Sequence, residues 1–77
     1  MKELVEFVVK SLVDHPDQVQ VHEEGGRTAV LLELSVAAED MGRVIGKSGR
    51  VINAIRALVQ VAAAKEGKEV TLEVLES

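Results

Sequence analysis

The sequence predicts an α+β fold: one domain with elements in the order α-β-β-α-α-β, a three-stranded sheet carrying its helices on one face. Apolar residues recur at helical spacing near the N-terminus (Leu4, Val5, Val8, Val9, Leu12) and again after Arg50 (Val51, Ala54, Ile55, Leu58, Ala62). They alternate with period two in Val19-x-Val21, Val30-x-Leu32-x-Leu34-x-Val36 and Val70-x-Leu72-x-Val74. With 77 residues, 47% of them hydrophobic, the chain suffices for a single core over residues 1–77 and is too short for a two-domain enzyme.

The first helix, flanked by Phe7 and Val13, stops at Asp14-His15-Pro16, because proline lacks the N–H that a helix interior needs. Gly25-Gly26 separates the first two strands and can supply the positive φ angles of a type I′ turn, which marks them as a hairpin. Ala37 to Ile45 reads as a short helix closed by Gly46, and the helix from Arg50 to Lys65 runs toward Gly67, a C-terminal stop. In the last strand Thr71 and Glu73 occupy the alternate face, so that strand is half exposed to water. Linkers, low-complexity tracts and internal repeats are absent from the sequence.

The net charge of −4 argues against a polyanionic partner until its distribution is considered. Between Met41 and Arg56 stand Arg43, Lys47, Arg50 and Arg56 with no acid, leaving five bases against thirteen acids elsewhere. Positive charge is therefore focused on one segment, which fits either a phosphate-binding surface or an ordinary solvated helix face. Without cysteine, the chain has no disulfide, thiolate nucleophile or Cys-based zinc site, in keeping with a reducing compartment. Met1-Lys2-Glu3 leads into an apolar run interrupted by Glu6 and Lys10, unlike a secretory signal, and no stretch approaches membrane-spanning length. A cytoplasmic protein without membrane partners is expected.

Inside the basic segment lies Gly46-Lys47-Ser48-Gly49, between apolar shoulders Val44-Ile45 and Val51-Ile52. Two glycines remove the Cβ atoms that keep a phosphodiester at a distance, while Lys47 and Ser48 supply a charge and a donor. Gly46-Lys47-Ser48 also copies the end of a nucleotide-binding P-loop, but that motif needs glycine where Met41 stands, and Gly42 comes one residue late. No enzymatic activity is expected. His15, Asp17, His22 and Glu23 straddle a turn and a strand with no recognised ligand spacing, and read as solvated surface, so neither a metal nor another cofactor is expected. With Phe7 as the sole aromatic, base-stacking platforms of the RRM or OB-fold kind are excluded.

From Gly42 to Arg56 the run Gly-Arg-Val-Ile-Gly-Lys-Ser-Gly-Arg-Val-Ile-Asn-Ala-Ile-Arg resembles the extended signature of K-homology (KH) domains. Over nearly its whole length the chain is similar to the type II arrangement, and in particular to the small bacterial single-domain RNA-binding proteins of the KhpA family. The resemblance implies a turn that clamps the backbone of about four single-stranded RNA nucleotides beside an apolar groove for bases. By that implication Gly46, Lys47, Ser48 and Gly49 form the clamp, and Arg50 and Arg43 flank the phosphate path. Val44, Ile45 and Ile52 would line the groove floor, although Val44 and Ile45 equally suit a plain core, and Arg56 suits either the interface or free surface. A role as RNA chaperone or post-transcriptional regulator is implied, as is a homodimer or a heterodimer with a larger KH-containing protein of the KhpB (Jag/EloR) type. The apolar residues Val59, Val61 and Ala63 on the last helix suit such pairing, and a protein-interaction adaptor is the competing function.

Overall fold

The computed structural model describes residues 1–76. Helix α1 spans Lys2–Leu12, strands β1 and β2 span Gln20–Gly25 and Ala29–Val36, helices α2 and α3 span Met41–Ile45 and Arg50–Lys65, and β3 spans Glu69–Glu76. The α-β-β-α-α-β order is as expected, with single 3₁₀ turns at Pro16–Gln18, Ala38–Asp40 and Lys47–Gly49.

β2 is the central strand. It pairs antiparallel with β1, Gln20 opposite Ser35 through Gly25 opposite Val30, and parallel with β3, Ala29 opposite Glu69 through Val36 opposite Glu76. A parallel neighbour requires a crossover, and α2, the turn and α3 provide it. The inward residues Val30, Leu32, Leu34 and Val36 of β2, with Val21, Val70 and Leu72 on its neighbours, are buried against Val5 and Val9 of α1 and Ile52, Ile55, Val59 and Ala63 of α3. Helices α1 and α3 therefore each bury one stripe, and among the described residues no helix packs on the opposite face of the sheet.

Two boundaries differ from expectation. The hairpin closes between Gly26 and Ala29, where the Gly26 N–H donates to the Ala29 carbonyl at 3.0 Å, so Arg27 and Thr28 are the central residues and neither has positive φ. Gly25 takes the unusual angle instead (φ 140°), since a Cβ there would lie 2.3 Å from the Ala29 carbonyl oxygen. The segment expected as one helix from Ala37 to Ile45 begins with buried, extended Ala37 and a 3₁₀ turn, leaving α2 only five residues. The far end of α3 is as expected: Gly67 (φ 70°) donates to the Ala64 carbonyl and Lys68 to that of Ala63, the paired bonds of a Schellman cap.

Asp40, at the head of α2, is the buried charged residue of this core, 1% exposed. Its carboxylate accepts the backbone N–H groups of Asp14 (3.1 Å) and His15 (3.0 Å), and so holds the chain leaving α1 against α2. Arg43 adds an exposed ion pair to Asp14 (Nη2 to Oδ2, 3.3 Å), and His15 Nε2 lies 3.1 Å from Glu39 Oε2. Among the described residues no helix is long and apolar enough to cross a membrane.

Candidate nucleic-acid interface

α2 ends because Gly46 turns to φ 75° while its N–H still bonds the Gly42 carbonyl at 2.9 Å. The chain then makes one 3₁₀ turn, closed by Gly49 N–H to the Gly46 carbonyl (3.2 Å) and by Arg50 N–H to that of Lys47. Ser48 and Gly49 are both left-handed, at φ 57°, ψ 27° and φ 75°, ψ 15°. Ser48 is the one non-glycine residue with positive φ among the described residues. Left-handed backbone costs an L-residue about 1–2 kcal/mol, so the surrounding bonds hold this turn in a shape the chain would not choose alone. The outcome is a protruding corner with Lys47 and Ser48 exposed at its tip and the first turn of α3 behind it.

The two glycines serve different ends. A Cβ on Gly46 would sit 2.5 Å from Val51 Cγ2 and 2.9 Å from the Val51 nitrogen, so Gly46 lets the loop close onto α3. A Cβ on Gly49 would meet only Asn53 Nδ2 at 3.6 Å and Ile52 Cγ2 at 3.9 Å, ordinary separations. Gly49 is therefore not required by packing as Gly46 is.

The bases also divide. Lys47 and Arg50 are exposed and have no ion pair among the described residues. Arg43 leans away toward Asp14. Arg56, half-buried, donates from Nε to the Leu72 carbonyl at 3.1 Å and from Nη1 to Asn53 Oδ1 at 3.4 Å, which fastens α3 to β3. Beside it a groove of about 330 Å³ runs between α3 and β3, lined by Arg56, Val59, Gln60, Val70, Leu72 and Glu73 among others. Sequence reasoning did not find Gln60 or the β3 residues of this groove, because only the parallel pairing of β3 with β2 puts them beside α3.

Of the residues expected at the groove floor, Val44 has no exposed surface and Ile52 only 4%, and both pack in the hydrophobic core. Ile45 is half-buried against that core. Val59 and Ala63, expected at a pairing surface, are likewise core at 1% exposure each, whereas Val61 is 59% exposed and Leu58, next to Val59, is 54% exposed. His15 and His22 pair with different carboxylates, Glu39 and Glu24.

Comparison with known proteins fits this geometry. A family model described as "KhpA/KhpB, KH domain" matches residues 2–74. The RNA-binding protein KhpA of Clostridium acetobutylicum is 55% identical over 75 residues, covering 97% of this chain and 100% of that protein. Its Listeria monocytogenes counterpart is 49% identical over 76 residues (99% and 100% covered), and that of Chlamydia pneumoniae 43% identical over 76 residues (99% and 97%). Among solved structures, Era in complex with MgGDPNP and nucleotides 1506–1542 of 16S ribosomal RNA is similar with a TM-score of 0.70 at 18% identity. That likeness covers 97% of this chain and 29% of the Era chain, and at such identity it is a likeness of fold.

Proposed function

This chain belongs to the KhpA/KhpB family of KH-domain proteins, and from that premise we propose that it binds single-stranded RNA by clamping about four nucleotides along their backbone with the Gly46–Gly49 turn. The family is one of binding proteins, and the chain is not an enzyme. One observation carries the clamp: a left-handed corner at Ser48-Gly49 that presents Lys47 and Ser48 outward, followed directly by exposed Arg50 at the start of a 16-residue helix. Phosphate oxygens at that corner meet an unpaired cation, a hydroxyl and the positive end of α3. Bases then lie along the α3–β3 groove, where Gln60, Glu73 and the Arg56 guanidinium offer polar edges above Val59, Val70 and Leu72. Arg43 contributes less, since Asp14 already neutralises it.

Few cations and one small groove imply modest affinity and loose sequence preference, which suits an RNA chaperone or post-transcriptional regulator in the cytoplasm that works in a pair. The pairing is either a homodimer or a complex with a larger KH-containing protein of the KhpB type. The exposed apolar residues Phe7 (73%), Leu58 (54%) and Val61 (59%) favour a protein-binding surface in addition, and they are the observation behind the second reading, an adaptor in which RNA is secondary.

The test is a binding titration with an unstructured RNA oligonucleotide and the double variant Lys47→Asp, Ser48→Asp. Two carboxylates facing phosphates should abolish binding with a melting curve close to that of the parent, because both positions are exposed and Asp tolerates left-handed backbone. Undiminished affinity would remove the clamp and leave the adaptor.

A further inference from the structure

The face of the sheet turned away from the helices has its own chemistry. Register places Gln20, His22 and Glu24 of β1 on it, with Leu31, Glu33 and Ser35 of β2 and Glu69, Thr71, Glu73 and Leu75 of β3. The strands bring four glutamates and one histidine to this face and no lysine or arginine. His22 is directly opposite Glu33, and Glu33 in turn is opposite Glu73, so one row across the sheet reads His-Glu-Glu. Like charges facing each other across a sheet are destabilising unless something neutralises them. Of the neighbouring helix, Lys2 and Glu6 bring one charge of each sign to the adjoining groove.

We propose that His22, Glu24 and Glu33 form a binding site for a borderline divalent transition-metal ion of the Zn²⁺ type. Their ligand atoms all lie within 4.8 Å of one another, with His22 Nε2 2.9 Å from Glu24 Oε1. Tetrahedral coordination with bonds of about 2.0–2.2 Å separates ligand atoms by about 3.4 Å, so side-chain rotation alone brings the three donors into place. The alternation of a strand explains why these residues meet: His22 and Glu24 are two apart on one strand and share a face, and antiparallel register brings Glu33 opposite. Glu33 is half-buried on the central strand, which gives the site one fixed donor and two adaptable ones. One imidazole with two carboxylates suits Zn²⁺ and its neighbours, whereas Mg²⁺ prefers an all-oxygen set. The ion would fasten β1 to β2 and cancel the carboxylate repulsion, a structural role separate from the Gly46–Gly49 turn.

Calorimetric titration of the full chain with ZnCl₂, alongside MgCl₂, tests the site. Saturable 1:1 binding of Zn²⁺ is expected, with a rise in melting temperature that Mg²⁺ does not reproduce. His22→Gln and Glu33→Gln should each weaken it by more than about tenfold, since even an outer-shell partner of a metal ligand is worth about 10–100-fold. His15→Gln serves as control, because the His15 ring pairs with Glu39, outside the His22, Glu24 and Glu33 cluster, and it should change nothing. Proton NMR of the unmodified chain gives a second readout, in which the His22 ring signals shift on adding Zn²⁺ and those of His15 stay. Absence of 1:1 binding, binding that survives His22→Gln, or a shift of the His15 ring alone overturns the proposal.

Discussion

Gly46 and Gly49 look interchangeable in a Gly-x-x-Gly motif, but one is required by packing and the other faces outward. Gly46→Ala drives a methyl into the Val51 side chain and backbone at 2.5–2.9 Å. It should cost about 2–3 kcal/mol in chemical denaturation, overpacking and unfavourable φ combined. At Gly49 an added Cβ meets nothing closer than 3.6 Å, so the folding cost of Gly49→Asp should stay near the left-handed penalty of about 1 kcal/mol, while RNA binding is lost more completely than in Lys47→Ala. Equal RNA affinity of the Gly49→Asp and Lys47→Ala proteins, with both folded by circular dichroism, would show that Gly49 does not mark the phosphate path. Asp40 works at the same scale with a different consequence. Asp40→Ala leaves the Asp14 and His15 N–H groups without their acceptor and should destabilise by about 2–3 kcal/mol, read from the shift of a urea midpoint at unchanged slope.

α2 and α3 share the basic segment unequally. The sequence puts four bases on this segment, yet Arg43 is drawn onto Asp14 and Arg56 onto the Leu72 carbonyl, which leaves Lys47 and Arg50 to lead. Two neutralised phosphates on a single strand give a log affinity against log salt slope of about −1.4, and three give about −2. The unmodified protein should show the shallower value. Asp14→Asn, which releases Arg43, should steepen it toward −2, and identical slopes for both proteins would place Arg43 outside the interface. That ion pair was invisible in the sequence, because Asp14 and Arg43 are far apart in the chain and meet only where Asp40 fastens the end of α1 to the head of α2.

For the whole molecule, α1 and α3 each have one stripe in the core and an apolar flank left over. On α3 that flank carries Leu58 and Val61, and on α1 it carries Leu4 and Phe7, at 38% and 73% exposure. Leu58→Glu with Val61→Glu should lower the mass seen by light scattering, if the chain pairs through this surface, with little loss of stability. Val59→Glu, placed in the core at 1% exposure, should unfold the chain instead. A constant monomer mass for the unmodified protein up to near-millimolar concentration would rule out self-association and leave a heterologous partner. The sequence by itself determined the element order, the inward residues of every strand and the Gly-x-x-Gly corner, because periodicity and glycine punctuation are local signals. Proximity across the chain was decided only by tertiary structure. Val44 and Ile52 carry the same apolar chemistry as a groove floor, and only the closing of α2 and α3 over the sheet commits them to the core. Likewise, His22 and Glu24 are separated from Glu33 by a hairpin, and strand register, which follows from burying Val21 against Leu34 on the opposite face, brings them together.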